Sequence, residues 1–230
     1  YVGAGVLASA VGMDKAVQKD LFRQHGLPVV DHVVVKRRDW ERDAEAVARC
    51  VEEHLGYPIF VKPASLGSSV GISKVDDAGG LAPAMNHAAE YDRKILVEKA
   101  VPQPREIECS VLGNDDPITS CCGEVIPRRA FYDYVAKYAD DRTELIVPAN
   151  IPDDVSDRIR DMARRAFLIL DCAGMARVDF LVTRDLTSIY LNEVNTIPGF
   201  TSVSMYARMF QATGIAYGVL LGRGVARGGG

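Results

Sequence analysis

The sequence predicts an α+β protein, and two observations support this class. Segments with helical periodicity and segments with strand periodicity alternate over residues 14–99. From residue 105 the character changes, because paired strand-like segments are separated by turn residues such as Asn114 and Asp115. Such pairs indicate antiparallel hairpins, so we expect antiparallel sheets combined with helices.

The first part of the chain opens with a helix. Residues 14–25 carry Val17, Leu21 and Phe22 at helical spacing, and Gly26 followed by Pro28 is a typical helix end. The β-branched stretch that follows predicts a strand. The predicted strands are 29–35, 59–63, 70–75 and 94–99, and the further predicted helices are 40–55 and, with a weak point at Pro83, 77–90.

The second part begins with a predicted hairpin of strands 105–113 and 117–126. Residues 127–148 have no periodicity and carry many aromatic and charged side chains, which predicts a long functional loop. The remaining predictions are an amphipathic helix at 153–170, a second hairpin of strands 176–183 and 188–194, a helix at 204–211, and a glycine-rich end at 222–230 without periodicity.

The composition excludes several classes of function. A net charge of −4 and a pI of about 5.6 provide no basic surface for nucleic acid or an anionic membrane. The five cysteines are odd in number and lack metal-ligand spacing, so they predict reduced thiols in the core. No apolar run approaches the roughly 18 residues of a membrane span, and the start of the chain lacks the basic residues of a signal peptide. We therefore expect a cytoplasmic protein.

The second predicted hairpin carries a group of polar side chains. The side-chain period of two places Arg177 beside Asp179 on one strand and Glu193 beside Asn195 on the other. If the strands pair, two carboxylates and an amide converge, and burying them without a counter-charge is costly. Ligands that are all oxygen favour Mg²⁺ or Mn²⁺ over zinc. The alternative is an exposed hairpin with solvated charges.

A glycine-rich loop follows the strand that ends near Lys62. Gly67 and Gly71 frame two serines, and glycines allow backbone N–H groups to approach phosphate oxygens. The loop differs from a Walker A motif because the lysine precedes the glycines and a strand, not a helix, follows. It predicts a flap that closes over a nucleotide, and the alternative is an ordinary flexible hairpin.

Three further segments carry candidate residues. Glu98 and Lys99 end a strand before a proline-rich connector whose backbone could bind an adenine edge, with Glu106 on the next strand for ribose hydroxyls; solvated strand-end charges are the alternative. The long loop contains Lys137 and Tyr138, and such aromatic loops pack onto the body or close over a ligand. Gly199 lies in a tight turn before a helix start at Ser202 or Ser204, a typical anion site, although Ser202 is also explained as an N-cap.

Taken in order, these motifs resemble the D-alanine:D-alanine ligases of the ATP-grasp superfamily. The matching segments are YVGAGVLASAVGMDK, GSSVGISKV, FYDYVAKY, ARVDF and NEVNTIPGFTSVSMY, and the resemblance extends from residue 1 to about residue 215. It implies two α+β subdomains, at 14–99 and 100–230, whose antiparallel sheets enclose ATP. Residues 1–13 would end a further N-terminal domain that precedes this chain, so we expect a piece of a longer protein.

The resemblance also implies roles for individual residues. Lys15 and Lys62 would contact phosphates, Glu98, Lys99 and Val101 the adenine, Glu106 the ribose and Lys137 the γ-phosphate. Asp179, Glu193 and Asn195 would hold two Mg²⁺ ions. Arg177 and the Gly199 N–H would form the oxyanion site, Ser204 and the Met205 N–H would bind the carboxylate of the second D-alanine, and Ser68 and Tyr138 would close over the first.

The function implied is ATP-dependent formation of D-alanyl-D-alanine for peptidoglycan through an acylphosphate. A homodimer is compatible with this function. Alternatives are a D-alanine:D-lactate ligase, against which Tyr138 argues, another carboxylate–amine ligase of the superfamily, and a nucleotide-binding module without turnover. Neither nucleic acid nor a membrane is expected as a partner.

Overall fold

The computed structural model describes the backbone of residues 2–126 and 144–227, and side chains as far as residue 223. Lys137 and Tyr138 therefore lie outside the described residues. The helices are Val6–Met13 (α1), Lys15–Gln24 (α2), Arg37–Arg42 (α3), Ala44–Leu55 (α4), Leu81–Tyr91 (α5), Asp153–Ile169 (α6), Met205–Ala212 (α7) and Tyr217–Arg227 (α8). The strands are His32–Lys36 (β1), Ile59–Pro63 (β2), Ser73–Val75 (β3), Lys94–Lys99 (β4), Arg105–Gly113 (β5), Ile118–Ile126 (β6), Glu144–Ile146 (β7), Gly174–Val182 (β8) and Ile189–Asn195 (β9).

The strands form two antiparallel sheets. The first has the order β1-β4-β2-β3 and the second the order β7-β6-β5-β8-β9. Each sheet buries one face against helices: α4 and α5 cover the first sheet through residues such as Val51 and Met85, and α6 covers the second through Phe167. On the opposite face of the second sheet, α7 packs on β5 and β6. The prediction of an α+β protein with antiparallel sheets is confirmed.

Helix α2 connects the two sheets. Its Phe22 lies in the core of the second sheet, whereas Ala16 packs with Ala64 and Leu96 of the first. Gln18, which is only 1 % exposed, accepts a hydrogen bond from the backbone N–H of Val194 at 2.9 Å. Because a buried amide must be satisfied, this bond fixes α2 against the edge strand β9. The helix thereby holds its lysines between the sheets.

Several predicted boundaries need correction. The single helix at 40–55 is two helices, because Asp43 caps the second by accepting from the Ala46 N–H at 2.9 Å. The strand at 70–75 is limited to β3, and the helix at 77–90 starts with a 3₁₀ turn, so that Pro83 falls in the first turn of α5, where a missing N–H costs nothing. The other two corrections concern the chain's less regular segments: β7 lies within 127–148, and α8 extends through the stretch after residue 222 that was predicted to lack structure.

A bulge in β9 determines which of its residues face the second sheet's open side. Asp179 pairs with Glu193 but the next residue, Phe180, pairs with Leu191, so Asn192 is an extra residue in the ladder. Side chains alternate across a regular strand, in which Leu191 and Glu193, two residues apart, would share a face. The bulge lets Leu191 be fully buried while Glu193 remains on the open face beside Asp179. The sequence prediction did not include this irregularity.

The glycine-rich loop between β2 and β3 contains a strained turn. Ser68 and Ser69 have φ angles of 53° and 60°, and the Val70 N–H donates to the Gly67 carbonyl at 3.2 Å. This is the pattern of a type I′ turn, which normally uses Asn and Gly because both central residues need positive φ. Serines held in this conformation raise the energy of the loop, a feature often associated with functional segments.

Gly71 closes the same loop and is predicted to tolerate no side chain. Its φ is +71°, and an added Cβ would lie 2.8 Å from Pro63 Cγ and 2.9 Å from Tyr91 Cδ2. Gly71→Ala is expected to lower the free energy of unfolding by about 2 kcal/mol, combining left-handed strain with overpacking. Urea denaturation measures the loss. Gly67→Ala is the matched control, because its Cβ would meet nothing within 4 Å, and an equal loss in both variants would contradict the prediction.

Candidate active site

The β8–β9 hairpin brings its predicted polar residues together. Arg177 donates from Nε and NH2 to the two oxygens of Asp179, each at 2.7 Å, and Asn195 Nδ2 donates to Asp179 Oδ2 at 2.9 Å. Arg177 is opposite Asn195 in the ladder, and Asp179 is opposite Glu193. The Arg177 and Asp179 side chains are 25 % and 16 % exposed, so the alternative of a hairpin with solvated charges is wrong. The predicted convergence of carboxylates and amide is confirmed.

Lys15, at the start of α2, joins this hairpin to the glycine-rich loop. Its Nζ lies 3.2 Å from Glu193 Oε2 and donates to the backbone carbonyl of Leu66 at 2.7 Å. The Lys15 side chain is 14 % exposed. Asp14 caps the helix by accepting from the N–H groups of Ala16 and Val17, both at 3.1 Å, and so fixes the helix start from which Lys15 projects. The ammonium group of Lys15 thus lies between the β8–β9 hairpin and the glycine-rich loop.

A second charged cluster lies at the centre of the first sheet. Glu98 on β4 pairs with Lys62 on β2 and, at 3.0 Å, with Lys19 on α2, and all three side chains are nearly or fully buried. The alternative that Glu98 is a solvated strand-end charge is therefore wrong. Sequence reasoning missed Lys19, although it lies four residues after Lys15 and so on the same face of the helix. The cluster carries one excess positive charge, which suits a polyanion such as a nucleotide phosphate.

The protonation of Glu98 follows from this cluster. Burial alone would raise the pKa of its carboxyl, but the ammonium groups of Lys19 and Lys62 outweigh burial and lower the pKa to about 2. Burial also lowers the pKa of Lys19, an effect that Glu98 opposes. Arg177 is different, because Asp179 and Glu108 outweigh its desolvation and raise its pKa further above the usual value. The guanidinium is therefore charged at every working pH.

Glu108 is a second residue that sequence reasoning missed. It lies on β5 opposite Asp179, and its Oε2 is 3.2 Å from Arg177 Nε. The sequence did indicate Glu108, because Glu106 and Glu108 are two residues apart on one strand and must therefore point to the same face. The open face of the second sheet therefore presents carboxylates from three neighbouring strands.

The remaining predicted residues are distributed around these clusters. Glu106 is exposed on β5, and Ser68 lies in the strained turn. Lys99 donates from Nζ to the Leu55 carbonyl at the end of α4, a helix-capping contact that the sequence did not indicate. Val101, which follows β4, is half-buried.

The turn around Gly199 approaches the start of α7. A Cβ added to Gly199 would lie 3.9 Å from Ser204 Cβ. Ser204 is the N-cap residue of α7 by position and Met205 begins the helix, so the interpretation of Ser202 as N-cap is wrong. The Ser204 hydroxyl donates to the Thr201 carbonyl at 2.8 Å and does not cap the helix. The first N–H groups of α7 accordingly remain a suitable anion site.

The donor set of the hairpin fits a divalent cation. Asp179, Glu193 and Asn195 supply oxygens only, on one face of a two-stranded ladder, and this is the ligand chemistry of Mg²⁺ or Mn²⁺. Within the ranges 2–126 and 144–227, no three His, Cys, Asp or Glu side chains cluster as a preformed metal site. The two carboxylates thus need the amide, and further oxygens from a ligand, to complete a coordination shell.

Two further expectations concern residues outside the site. Cys109, Cys122 and Cys172 are buried free thiols as predicted, but Cys50 and Cys121 are partly exposed, which corrects the prediction of core positions for all five cysteines. None of the helices in the described part of the chain is both long and apolar enough to cross a bilayer.

Comparison with known proteins agrees with this geometry. Residues 21–225 match the family described as D-ala D-ala ligase C-terminus. The chain is 48 % identical over 221 residues to a D-alanine–D-alanine ligase of Acetivibrio thermocellus, covering 96 % of this chain and 58 % of that protein. It is 52 % identical over 223 residues to the Heliobacterium modesticaldum ligase, covering 97 % and 61 % respectively.

The chain is also similar to solved structures of ligases. The D-alanine-D-alanine ligase of Coxiella burnetii superposes with a TM-score of 0.85 at 36 % identity, over 99 % of this chain and 59 % of that one. The VanG D-Ala:D-Ser ligase of Enterococcus faecalis superposes with a TM-score of 0.88, also at 36 % identity, over 98 % of this chain and 64 % of that one. The chain spans about three fifths of the length of the curated relatives that it matches.

Two antiparallel sheets, one with a glycine-rich turn and one with an acidic hairpin, define an α+β protein of the ATP-grasp class. Within that class, the chain belongs to the D-alanine–D-alanine ligase family and matches its C-terminal part.

The Glu98 cluster predicts a specific dependence of stability on pH. The pKa of Glu98 is about 2 in the folded protein and 4.5 for the unperturbed group, so its contribution is complete above pH 4.5 and is lost as pH falls toward 2. Glu98→Gln leaves two buried ammonium groups without their carboxylate and is expected to cost about 3–5 kcal/mol at pH 7.

Urea unfolding of both proteins at several pH values measures this effect. The difference in unfolding free energy between wild type and Glu98→Gln should shrink between pH 5 and pH 2. Asp116→Asn removes a carboxylate from an exposed turn and is the control. A difference that stays constant with pH would contradict the assignment.

Proposed function

We propose that this protein is an ATP-dependent ligase that joins two D-alanine molecules for peptidoglycan synthesis. The observation that carries the proposal is the convergence of Asp179, Glu193 and Asn195, with Arg177 beside them and Lys15 reaching to the glycine-rich loop. Membership of the ligase family supports the same reaction. We also retain, as proposals, the subdomains 14–99 and 100–230, a cytoplasmic location and a homodimer.

The proposed site binds ATP between the two sheets. Lys15 and Lys62 bind phosphate oxygens, and the net positive charge of the Lys19–Glu98–Lys62 cluster attracts the triphosphate. The backbone near Lys99 and Val101 binds adenine, Glu98 lies beside this strand end, and Glu106 binds the ribose. Lys137, outside the described residues, is assigned to the γ-phosphate. Asp179, Glu193 and Asn195 hold Mg²⁺, with Mn²⁺ as the other candidate, and the cation would neutralise charge on the phosphates.

The proposed reaction has two steps. The carboxylate of the first D-alanine attacks the γ-phosphorus of ATP and gives D-alanyl phosphate and ADP. The amine of the second D-alanine then attacks the activated carbonyl, and inorganic phosphate leaves. Arg177 and the Gly199 N–H would stabilise the tetrahedral oxyanion, an effect of about 3–4 kcal/mol per donor in other enzymes.

The substrates are bound by groups near the start of α7 and in the two loops. Ser204 and the Met205 N–H bind the carboxylate of the second D-alanine, since the first N–H groups of a helix favour an anion. Ser68 and Tyr138 close over the first D-alanine. The similarity to VanG, which is named for a D-serine acceptor, makes the second substrate the point to test.

The test of this function is a coupled assay with the complete protein. ATP, Mg²⁺ and D-alanine should give equal amounts of phosphate and D-alanyl-D-alanine, which mass spectrometry identifies. D-Serine and D-lactate are offered as competing second substrates. Phosphate release that does not depend on D-alanine would contradict the proposal, and tight ATP binding without any dipeptide would favour a nucleotide-binding module.

Loss of a metal ligand should remove activity without unfolding the protein. Asp179→Asn keeps the shape of the side chain but removes the charge, and we expect turnover to fall by more than about a hundredfold. Asp185→Asn, in the exposed turn of the same hairpin, is the control. Initial rates over a range of Mg²⁺ concentrations and circular dichroism measure the two effects, and wild-type turnover in Asp179→Asn would remove the metal assignment.

A further inference from the structure

Glu108 lies in a row of three carboxylates, and it is the one to which the proposed function assigns no role. Along β5, β8 and β9, Glu108 is opposite Asp179, and Asp179 is opposite Glu193. The Glu108 side chain is only 12 % exposed. Like charges on directly opposite strand positions repel, so a buried third carboxylate needs a reason to be there.

Among the described residues, Arg177 is a cation that faces Glu108. Nε of an arginine carries one hydrogen, and here it is donated to Asp179 Oδ1 at 2.7 Å. Glu108 Oε2 is 3.2 Å from the same Nε, within ion-pair distance. The guanidinium is therefore already within reach of two carboxylates, of which Asp179 holds the hydrogen bonds.

Binding of a cation to Asp179 would compete with the hydrogen bonds that its carboxylate accepts. Both of its oxygens accept hydrogen bonds from Arg177, and one also accepts from Asn195. A bound metal ion would use a lone pair on one of these oxygens and would compete with the hydrogen bonds from the guanidinium. A largely buried guanidinium that loses its counter-ion is costly, commonly about 3–5 kcal/mol for a broken buried pair. Another carboxylate within reach removes most of that cost.

We infer that Glu108 is a positioning residue that takes over the guanidinium of Arg177 when a divalent cation engages Asp179. This inference rests on the proposed metal and oxyanion roles of Asp179 and Arg177. Because the Nε hydrogen can turn from Asp179 to Glu108 with little movement, Arg177 stays beside the reacting carbonyl instead of following Asp179 to the metal. Asp179 can then bind the cation while Glu108 holds the guanidinium of Arg177, so that one carboxylate does not have to do both.

A double-mutant cycle in the complete protein tests the inference. Binding of Mn²⁺ in the presence of a non-hydrolysable ATP analogue is measured by electron paramagnetic resonance in wild type, Glu108→Gln, Arg177→Met and the double variant. Glu108→Gln should weaken Mn²⁺ binding about tenfold more when Arg177 is present than when it is absent, a coupling normal for charges in contact. Asp116→Asn, an exposed charge at the far end of the β5–β6 hairpin, controls for net charge and should change binding less than about twofold.

The outcomes separate this role from a simple field effect. A carboxylate that only attracts the cation loses the same affinity in both backgrounds, and equal losses would overturn the inference. If Glu108→Gln does not fold, Glu108→Asp keeps the charge but shortens the reach, and should weaken Mn²⁺ binding only when Arg177 is present. No difference between the two backgrounds for that variant would also overturn the inference.

Steady-state kinetics provides a second readout. At saturating Mg²⁺, where the weaker binding of the metal ion is compensated, Glu108→Gln should lower kcat about tenfold while KM for ATP changes less than about twofold, since Arg177 acts on the oxyanion and not on nucleotide binding. Glu108→Asp should restore part of kcat. If the wild-type protein releases no D-alanine-dependent phosphate, the proposed function fails, whereas the Mn²⁺ cycle still decides the role of Glu108.

Discussion

The repulsion among carboxylates on one sheet face is the constraint on which this site depends. Asp179, Glu193 and Glu108 lie side by side because their strands are paired in this register. Among the described residues, Arg177 from within the same sheet and Lys15 from α2 oppose the repulsion. These five groups sum to one net negative charge, which the proposed divalent cation would reverse and the proposed nucleotide phosphates would then balance. The ion pairs therefore hold the folded chain in a state that is prepared for a charged ligand.

Helix α2 makes this balance possible. The buried amide of Gln18 fixes the helix to β9, and the lysines on either side of it reach different sheets. Lys15 contacts the acidic hairpin and the glycine-rich loop, whereas Lys19 contacts Glu98. One helix thus couples the electrostatics of both clusters, and a displacement of α2 changes both at once. A glutamine at position 18 can accept the Val194 N–H, which an apolar residue could not do.

The sequence predicted the parts of the fold that local pattern controls. Hairpin β8–β9 follows from alternation and a turn, and the convergence of Asp179 with Asn195 follows from its pairing. It did not predict Lys19 or Glu108, because their significance depends on strands and helices distant in the chain. The break at Asp43 was missed because a capping aspartate can interrupt a helical pattern without disturbing its apolar spacing.

Long-range geometry also limited the assignment of roles. The ammonium group of Lys99 is used to cap α4, and the carboxylate of Glu98 lies between two lysines, neither of which strand periodicity can reveal. The strained serine turn is similar, since the letters Gly-Ser-Ser-Val-Gly indicate a flexible loop but the backbone angles show a defined one. Sequence gives the residue types at the site, and packing decides which atoms remain for a ligand.

The bulge at Asn192 divides β9 into two segments whose side-chain alternation is offset by one residue. Leu191, before the bulge, packs in the hydrophobic core, whereas Glu193 and Asn195, after it, lie on the open face that carries the proposed ligand site. Deletion of Asn192 would remove the bulge and leave regular alternation, with Leu191 still on the core face and Glu193 still on the open face, so the extra residue alters the path of the strand and not its two-faced pattern.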